Sequence, residues 1–168
     1  MAAIVGRGIG TFLLTKACLP YLRQSAAPHV LTIAPPINMN PYWLGVHPSY
    51  TLSKYGMTLL TLGWAAEHAD AGIASNCLWP ETYIATSAVA NSPDGGELLE
   101  KARSPQIMAD AAVEILRRPA AEASGQCYID ADVLAEAGVT DFSSYGGGPE
   151  PLMDFFVDRP LGAGVDAR

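Results

Sequence analysis

His29-Val-Leu-Thr-Ile-Ala34 decides the fold class, because it is a short, apolar stretch rich in β-branched residues. Pro28 and Pro35 bound this stretch, and together these features predict a buried β-strand. Residues 73–78 and 125–130 are predicted as two further short strands. Continuously apolar strands, rather than alternating ones, are typical of parallel sheets that are covered on both faces.

Helical patterns precede, separate and follow these strands. Apolar spacing and end signals predict helices at residues 12–24, 49–70, 104–118 and 131–137. Pro20 would kink the first helix or mark its last turn. Helices that alternate with short apolar strands predict an α/β fold with a parallel sheet and right-handed crossovers.

Three stretches are predicted to be irregular because they are rich in proline, glycine or asparagine. They are residues 35–48, with four prolines, residues 80–96, and a C-terminal tail at 141–168. The tail carries the apolar patch Phe155-Phe156-Val157 between acidic residues.

The composition bounds the class of protein. The chain has 168 residues, a net charge of −7, 49% hydrophobic residues and 16% charged residues. This excludes a disordered chain and suits one domain with a real core. The acidic balance argues against nucleic acid or an anionic membrane as partner, and no apolar run approaches the ~20 residues that span a bilayer.

Cysteine and histidine give no metal or disulfide pattern. Cys18, Cys77 and Cys127 lie far apart in the sequence and form no Cys-x-x-Cys motif, so we interpret them as small buried hydrophobic residues. The three histidines share no metal-ligand spacing. We therefore expect no metal site and a reducing, cytoplasmic setting.

Tyr50 and Lys54 lie four residues apart in the predicted helix 49–70, so their side chains share one helix face. A neighbouring ammonium favours the phenolate and lowers the pKa of a tyrosine, which is about 10 when free. Such a phenol could exchange a proton with a carbonyl or alcohol oxygen near neutral pH. Taken alone, this spacing is more typical of a packed tyrosine and a solvated lysine on an amphipathic helix.

The wider sequence is more specific. His47-Pro-Ser-Tyr-Thr-Leu-Ser-Lys-Tyr-Gly-Met57, followed by Asn76-Cys-Leu-Trp-Pro80, resembles the short-chain dehydrogenase/reductase family. It is most similar to the hydroxysteroid dehydrogenase-like branch, over residues 10 to about 140. The resemblance implies a partial Rossmann-type, doubly wound parallel sheet, the C-terminal half of that fold. It also implies NAD- or NADP-dependent hydride transfer.

The resemblance also implies roles for individual residues. Tyr50 would be the proton donor or acceptor, and Lys54 would lower its pKa and hold the nicotinamide ribose. Asn76 and Pro80 match the family's Asn-x-x-x-Pro, which lines the nicotinamide. Two further residues, Ile84 and Thr86, fall where this branch contacts the carboxamide and phosphates. For Thr86, a helix cap is an equally weighted alternative.

Two polar residues of the family are replaced. The serine that orients the substrate carbonyl corresponds to Ala34, and a methyl group cannot donate a hydrogen bond. Loss of such a donor can cost ~10²–10³ in rate. Asn38 or Ser49 could substitute, although Asn38 could equally cap a turn. The asparagine of the proton relay corresponds to Arg7.

The N-terminal part departs further. Gly6-Arg-Gly-Ile-Gly10 resembles the end of the family's glycine-rich turn but runs directly into a segment that comes much later in the family. A phosphate-binding turn needs a strand before it, and residues 3–5 are a very short candidate. We expect a vestige joined by a deletion, or a chance glycine cluster, rather than a phosphate loop. The strands that bind the adenosine half of the cofactor are expected to be absent.

Two functions remain open at this point. The first is an oxidoreductase acting on a small apolar carbonyl or alcohol, with Trp43 and Trp79 shaping the pocket unless they are core or interface residues. The second is a catalytically silent association module, a homo-oligomer formed through helices 12–24 and 49–70. In either case we expect one incomplete Rossmann-like domain over residues 1–168, and the Phe155–Val157 patch could cover a neighbouring subunit.

Overall fold

The computed structural model describes residues 2–158, and side chains from residue 6 onward. These residues form two compact units. The first takes in the chain up to Trp79 together with Leu116–Tyr128, and the second takes in Pro80–Ile115 and the chain from Ile129.

Seven α-helices and three β-strands occur among the described residues. In chain order they are α1 (Ala2–Leu22), β1 (His29–Ile33), α2 (Pro41–Val46), α3 (Pro48–Glu67), β2 (Ala74–Trp79), α4 (Ser87–Ala90), α5 (Gly95–Glu100), α6 (Gln106–Leu116), β3 (Cys127–Ile129) and α7 (Asp130–Glu136). Short 3₁₀ turns lie at Ala69–Ala71, between α3 and β2, and at Ser143–Tyr145, after α7.

The three strands form one sheet in the order β1-β2-β3. β1 and β2 are parallel, with His29 opposite Ala74 and Ile33 opposite Leu78. All six residues of β2 are buried, whereas Ile33 at the end of β1 is 45% exposed. A central strand with both neighbours in place loses its exposure, so the predicted α/β fold with short, apolar parallel strands is confirmed.

Hydroxyl groups tie α3 to the sheet in the first unit. Thr58 Oγ1 donates to Pro35 O at 2.7 Å, and Thr61 Oγ1 lies 2.8 Å from Thr32 Oγ1. Ser75 Oγ donates in turn to Thr61 O at 2.8 Å. Each of these hydroxyls donates to a carbonyl or hydroxyl oxygen across the contact between α3 and the sheet, so α3 is held in one position over the strands.

The second unit is organised around Arg103. Its N–H donates to Tyr83 O and its carbonyl accepts from Ala85 N, each at 2.8 Å. The segment that follows β2 is therefore paired with the segment between α5 and α6. Phe156 and Val157 are buried in this unit, and Phe155 packs on Tyr83 at 5.7 Å between ring centroids.

The main differences from the predicted elements lie near the N-terminus and in the loops. The glycine cluster at 6–10 and residues 3–5 are helical, inside α1, so neither a strand nor a phosphate-binding turn is present there. The stretch 35–48 contains α2, whose first turn begins at Pro41 and is capped by Asn40 Oδ1 accepting from Tyr42 N. Residues 80–96 contain α4, and α6 ends at Leu116, before the arginine pair.

Candidate functional site

Tyr50 and Lys54 lie in the first two turns of α3, which begins with Pro48 at its first position. Lys54 Nζ is 6.0 Å from the centroid of the Tyr50 ring and donates to Ile33 O at 3.0 Å. It also lies 4.9 Å from the ring centroid of Trp79. The ammonium is thus placed at the C-terminal ends of both β1 and β2.

This location is suited to ligand binding, because ligands of open parallel sheets bind beyond the carboxyl ends of the strands. The side chains of Tyr50 and Lys54 are both half-buried. Partial burial lowers the local dielectric constant, which strengthens the electrostatic effect of the ammonium on its neighbours. Both side chains also keep exposed surface that a ligand can contact. A phenol beside a fixed cation can hold or release a proton at a carbonyl or alcohol oxygen. The structure brings this predicted pair together.

The side chain of Asn76 is engaged in hydrogen bonds inside the first unit. It is fully buried, and its amide donates to Ala123 O at 2.6 Å and accepts from Gln126 N at 2.9 Å. Both halves of the amide therefore hold the chain that leads into β3. A role in lining a nicotinamide stays a prediction, and this geometry gives it no support.

The position of the family's serine is enclosed. Ala34 is fully buried, and its side chain is a methyl group that has no hydrogen-bond donor to offer at this edge of the sheet. Asn38 Oδ1 accepts from Asn40 N at 2.9 Å, which is the turn-capping role. Ser49 is exposed at the start of α3.

The loop that carries Asn38 is fixed by Tyr55. The phenol oxygen of Tyr55 donates to Asn38 O at 2.6 Å and accepts from Asn38 N at 3.0 Å. Trp79 is buried, whereas Trp43 is half-buried and its ring packs edge-on to Tyr42 at 4.9 Å. Of the roles that the sequence left open for Trp79, a residue of the core is the one observed.

The remaining predicted site residues lie in the second unit. Pro80 is buried directly after β2, and Ile84 is 8% exposed and bridges to Arg103. Thr86 is exposed and caps α4, with its Oγ1 accepting from Val89 N at 3.4 Å. The cap is thus observed, and the predicted cofactor contacts of these three residues stay predictions.

A cluster of buried charges in the second unit was missed by sequence reasoning. Arg103 Nη1 is 3.2 Å from Glu81 Oε2, with side-chain exposures of 5% and 1%. Asp130 Oδ1 accepts from Glu81 N at 2.8 Å and from Ala131 N at 2.7 Å. Asp130 Oδ2 and Arg103 Nε are buried without a hydrogen-bond partner.

Burial dominates the electrostatics of this cluster. Desolvation raises the pKa of Asp130 to about 6, against the lowering effect of its two backbone hydrogen bonds and of Arg103. A cavity of about 530 Å³ in the same unit is lined by Arg103 and by residues of the segment 139–151. The guanidinium of Arg103 stacks on Phe142 at 5.0 Å, which holds it in place beside that cavity.

Metal and membrane features are absent from residues 2–158. Within that range, His, Cys, Asp and Glu side chains form no group of three that could hold a metal ion. No helix in the same range is long and apolar enough to cross a membrane.

The chain is similar to known dehydrogenases. Hydroxysteroid dehydrogenase-like protein 2 of Danio rerio is 44% identical over 151 residues, which cover 89% of this chain and 36% of that protein. A solved structure from Xanthomonas campestris, described as a dehydrogenase, is 48% identical with a TM-score of 0.85, over 91% of this chain and 56% of that one. No family model matches the chain.

A short chain dehydrogenase from Mycobacterium thermoresistibile is 41% identical with a TM-score of 0.86, over 97% of this chain and 60% of that one. A more distant solved structure, 4-hydroxyisoleucine dehydrogenase complexed with NADH, is 18% identical and covers 72% of this chain and 52% of that one. Its TM-score is 0.53, so it shows a shared fold alone. The chain spans about a third of the length of the curated relatives that it matches. These comparisons confirm the resemblance: the chain corresponds to part of a short-chain dehydrogenase/reductase of the hydroxysteroid dehydrogenase-like branch.

Proposed function

We propose that this chain carries the proton-transfer half of an NAD(P)-dependent oxidoreductase site for a small apolar carbonyl or alcohol. The observation that carries the proposal is the position of Lys54 Nζ, one turn from Tyr50 and bonded to Ile33 O at the end of the parallel strands. Membership in a family of dehydrogenases supports the same reaction class.

Lys54 fits the nicotinamide-ribose end of the cofactor. A half-buried ammonium at the strand ends suits sugar hydroxyls, which accept hydrogen bonds from it. When bound, the nicotinamide supplies or accepts the hydride. Residues 6–10 do not form a binding site for the adenosine end of the cofactor. They lie inside α1 and form no turn before a helix N-terminus.

The chain's own residues would act on the proton. Tyr50 would hold a proton at the substrate oxygen, donating it in reduction and taking it in oxidation. Lys54 would stabilise the phenolate form of Tyr50 and orient the ribose. Ala34 provides no second donor for that oxygen, so we expect modest turnover even when cofactor binds.

A cofactor titration tests the proposal. NADH and NADPH are added separately to the purified chain up to millimolar concentration, and nicotinamide fluorescence is followed. Saturable binding that weakens in Lys54→Met, but not in the matched surface variant Lys101→Met, is expected. Absence of saturable binding for both cofactors contradicts the proposal for this chain.

A second candidate function, a homo-oligomerisation module, is favoured by exposed apolar side chains on the two helices predicted to associate. Leu13, Leu14 and Tyr21 on α1 are 57%, 67% and 75% exposed, and Leu52 and Leu59 on α3 are 72% and 63% exposed. Patches of this kind commonly mark association surfaces. Light scattering coupled to gel filtration tests it: a dimer or tetramer that Leu13→Glu with Leu59→Glu converts to monomer supports this function, and a wild-type monomer at high concentration contradicts it.

A further inference from the structure

Two cysteines that are distant in the sequence are neighbours in the sheet. Cys77 lies in β2 and Cys127 in β3, and the N–H of Cys77 donates to Gln126 O at 2.8 Å. In a parallel pair, a residue donates to the carbonyl just before its partner, so Cys77 lies opposite Cys127 and both side chains share one face of the sheet. Both thiols are free in the structure.

The spacing is compatible with a covalent bond between the two sulfurs. Neighbouring strands lie about 4.8 Å apart, inside the range of roughly 4.4–6.8 Å between Cα atoms that disulfides span. A bond would draw the two Cβ atoms somewhat closer than strand pairing alone. β3 has three residues at the edge of the described sheet and is preceded by the exposed Gly125, whose φ of +76° is the left-handed conformation that favours glycine.

The two thiols differ in environment. Cys77 is fully buried, whereas Cys127 is half-buried. The neighbouring Cys77 side chain lowers the pKa of Cys127, whereas the Cys127 side chain, together with burial, raises the pKa of Cys77. The more accessible sulfur is therefore also the better nucleophile, and the buried one lies directly beside it.

We propose that Cys127 is a peroxide-reactive site and that Cys77 is its resolving thiol, so that oxidation joins β2 to β3 by a reversible disulfide. In the first step, the Cys127 thiolate attacks hydrogen peroxide, forming an S–O bond, breaking the O–O bond and releasing hydroxide. In the second, the sulfur of Cys77 attacks the sulfenic acid, and its proton leaves with the displaced oxygen as water. Peroxide takes up the two electrons that the thiols lose.

This inference is independent of the proposed oxidoreductase activity, since it uses neither Tyr50 nor Lys54. The bond would form beside Asn76 and Gln126, which already connect the two strands through a 2.9 Å hydrogen bond. Oxidation would therefore reinforce a junction that is present in the reduced protein.

The test uses the reduced full chain and a small molar excess of hydrogen peroxide at neutral pH. Remaining thiols are alkylated, and the protein is digested with trypsin. Arg23 and Lys54 separate Cys18 from Cys77, and Lys101 and Arg117 separate Cys77 from Cys127, so each cysteine falls on its own peptide. A Cys77–Cys127 cross-linked peptide with a mass 2 Da below the sum of its parts is expected, and dithiothreitol should remove it.

Three variants and a denatured sample sharpen the result. Cys127→Ser should abolish the cross-link, Cys77→Ser should leave a dimedone-reactive sulfenic acid at Cys127, and Cys18→Ser should leave the cross-link unchanged. In guanidinium chloride, where the strands separate, the preference for this pair should disappear. Cross-links that involve Cys18 in the folded chain, or a stable sulfenic acid at Cys127 without a cross-link in the wild type, would overturn the proposal.

Discussion

The two compact units differ in the chemistry that stabilises each of them internally. In the first unit, neutral hydroxyls of Thr58, Thr61 and Ser75 connect α3 to the strands. In the second, the buried charges of Glu81, Arg103 and Asp130 connect its segments. Neutral hydrogen bonds cost little to bury, whereas buried charges fix a geometry only while every charge keeps its partner.

The same contrast separates Lys54 and Arg103, two of the cations that lie over aromatic rings. Lys54 is half-buried over Trp79 at the strand ends and donates to a backbone carbonyl. Arg103 is 4% exposed, stacked on Phe142 and paired with Glu81. A partly accessible cation can therefore bind a ligand, whereas an enclosed and ion-paired cation stabilises the fold.

Tyr50→Phe is the change with the largest expected effect. Removing the phenol hydroxyl removes the proton donor, so NAD(P)H-dependent turnover of a carbonyl substrate should fall by about 10²–10⁴-fold while cofactor binding is nearly unchanged. Tyr55→Phe is the matched control, since it also removes a phenol hydroxyl, one that bonds to the Asn38 backbone. Equal turnover of Tyr50→Phe and wild type would remove Tyr50 from its role.

Arg103→Met should be the most damaging change for stability. It leaves Glu81 buried without its cation and next to Asp130, which costs roughly 3–5 kcal/mol in the free energy of unfolding. Urea denaturation measures this cost. The double variant Glu81→Gln with Arg103→Met should recover a good part of it, because position 81 then carries no buried charge that lacks its cation. A loss below about 1 kcal/mol for the single variant would show that the ion pair is not structural.

Asp130→Asn tests the pH dependence of the buried cluster. The pKa of Asp130 is raised from 3.8 to about 6 by burial, so the folded state binds this proton more tightly than the unfolded state. Stability from this group is therefore complete below about pH 4 and is lost as the pH rises through about 6, by about 3 kcal/mol in total. Relative to wild type, Asp130→Asn should gain that amount between pH 4 and about pH 7 in urea denaturation; a constant difference would contradict this.

Thr61→Val should have the smallest effect. It removes a hydroxyl whose neighbours are Thr32 Oγ1 and Met57 O, and should cost about 1 kcal/mol in urea denaturation. The loss should be independent of pH, in contrast with the charged cluster. The exposed Ser49→Ala serves as the control and should leave stability unchanged. A loss as large as that of Arg103→Met would remove the contrast between the two units.

The sequence predicted the three strands and the Tyr50–Lys54 pair because these are local patterns. Its failures follow from long-range or competing effects. Glycines at 6, 8 and 10 disfavour a helix intrinsically, yet they lie in α1, whose Phe12 ring stacks on Trp64 of α3 at 6.2 Å between centroids.

The buried charges and the cysteine pair were also not predicted, because they form through contacts between distant parts of the sequence. Glu81 pairs with Arg103 22 positions away and meets Asp130 49 positions away. Cys77 and Cys127 likewise become neighbours through strand order. No periodicity within a single segment encodes such contacts, so they could be found in the folded structure but not in the local sequence pattern.

The most direct test of the account is to measure two quantities for Lys54→Met and Arg103→Met, NADH binding by fluorescence titration and stability by urea denaturation. We expect Lys54→Met to weaken NADH binding at least about tenfold, equivalent to 1.4 kcal/mol, and to change stability by less than about 1 kcal/mol. Arg103→Met should lose several kcal/mol of stability. NADH affinity equal to that of wild type in Lys54→Met, or a stability loss as large as that of Arg103→Met, would contradict the account.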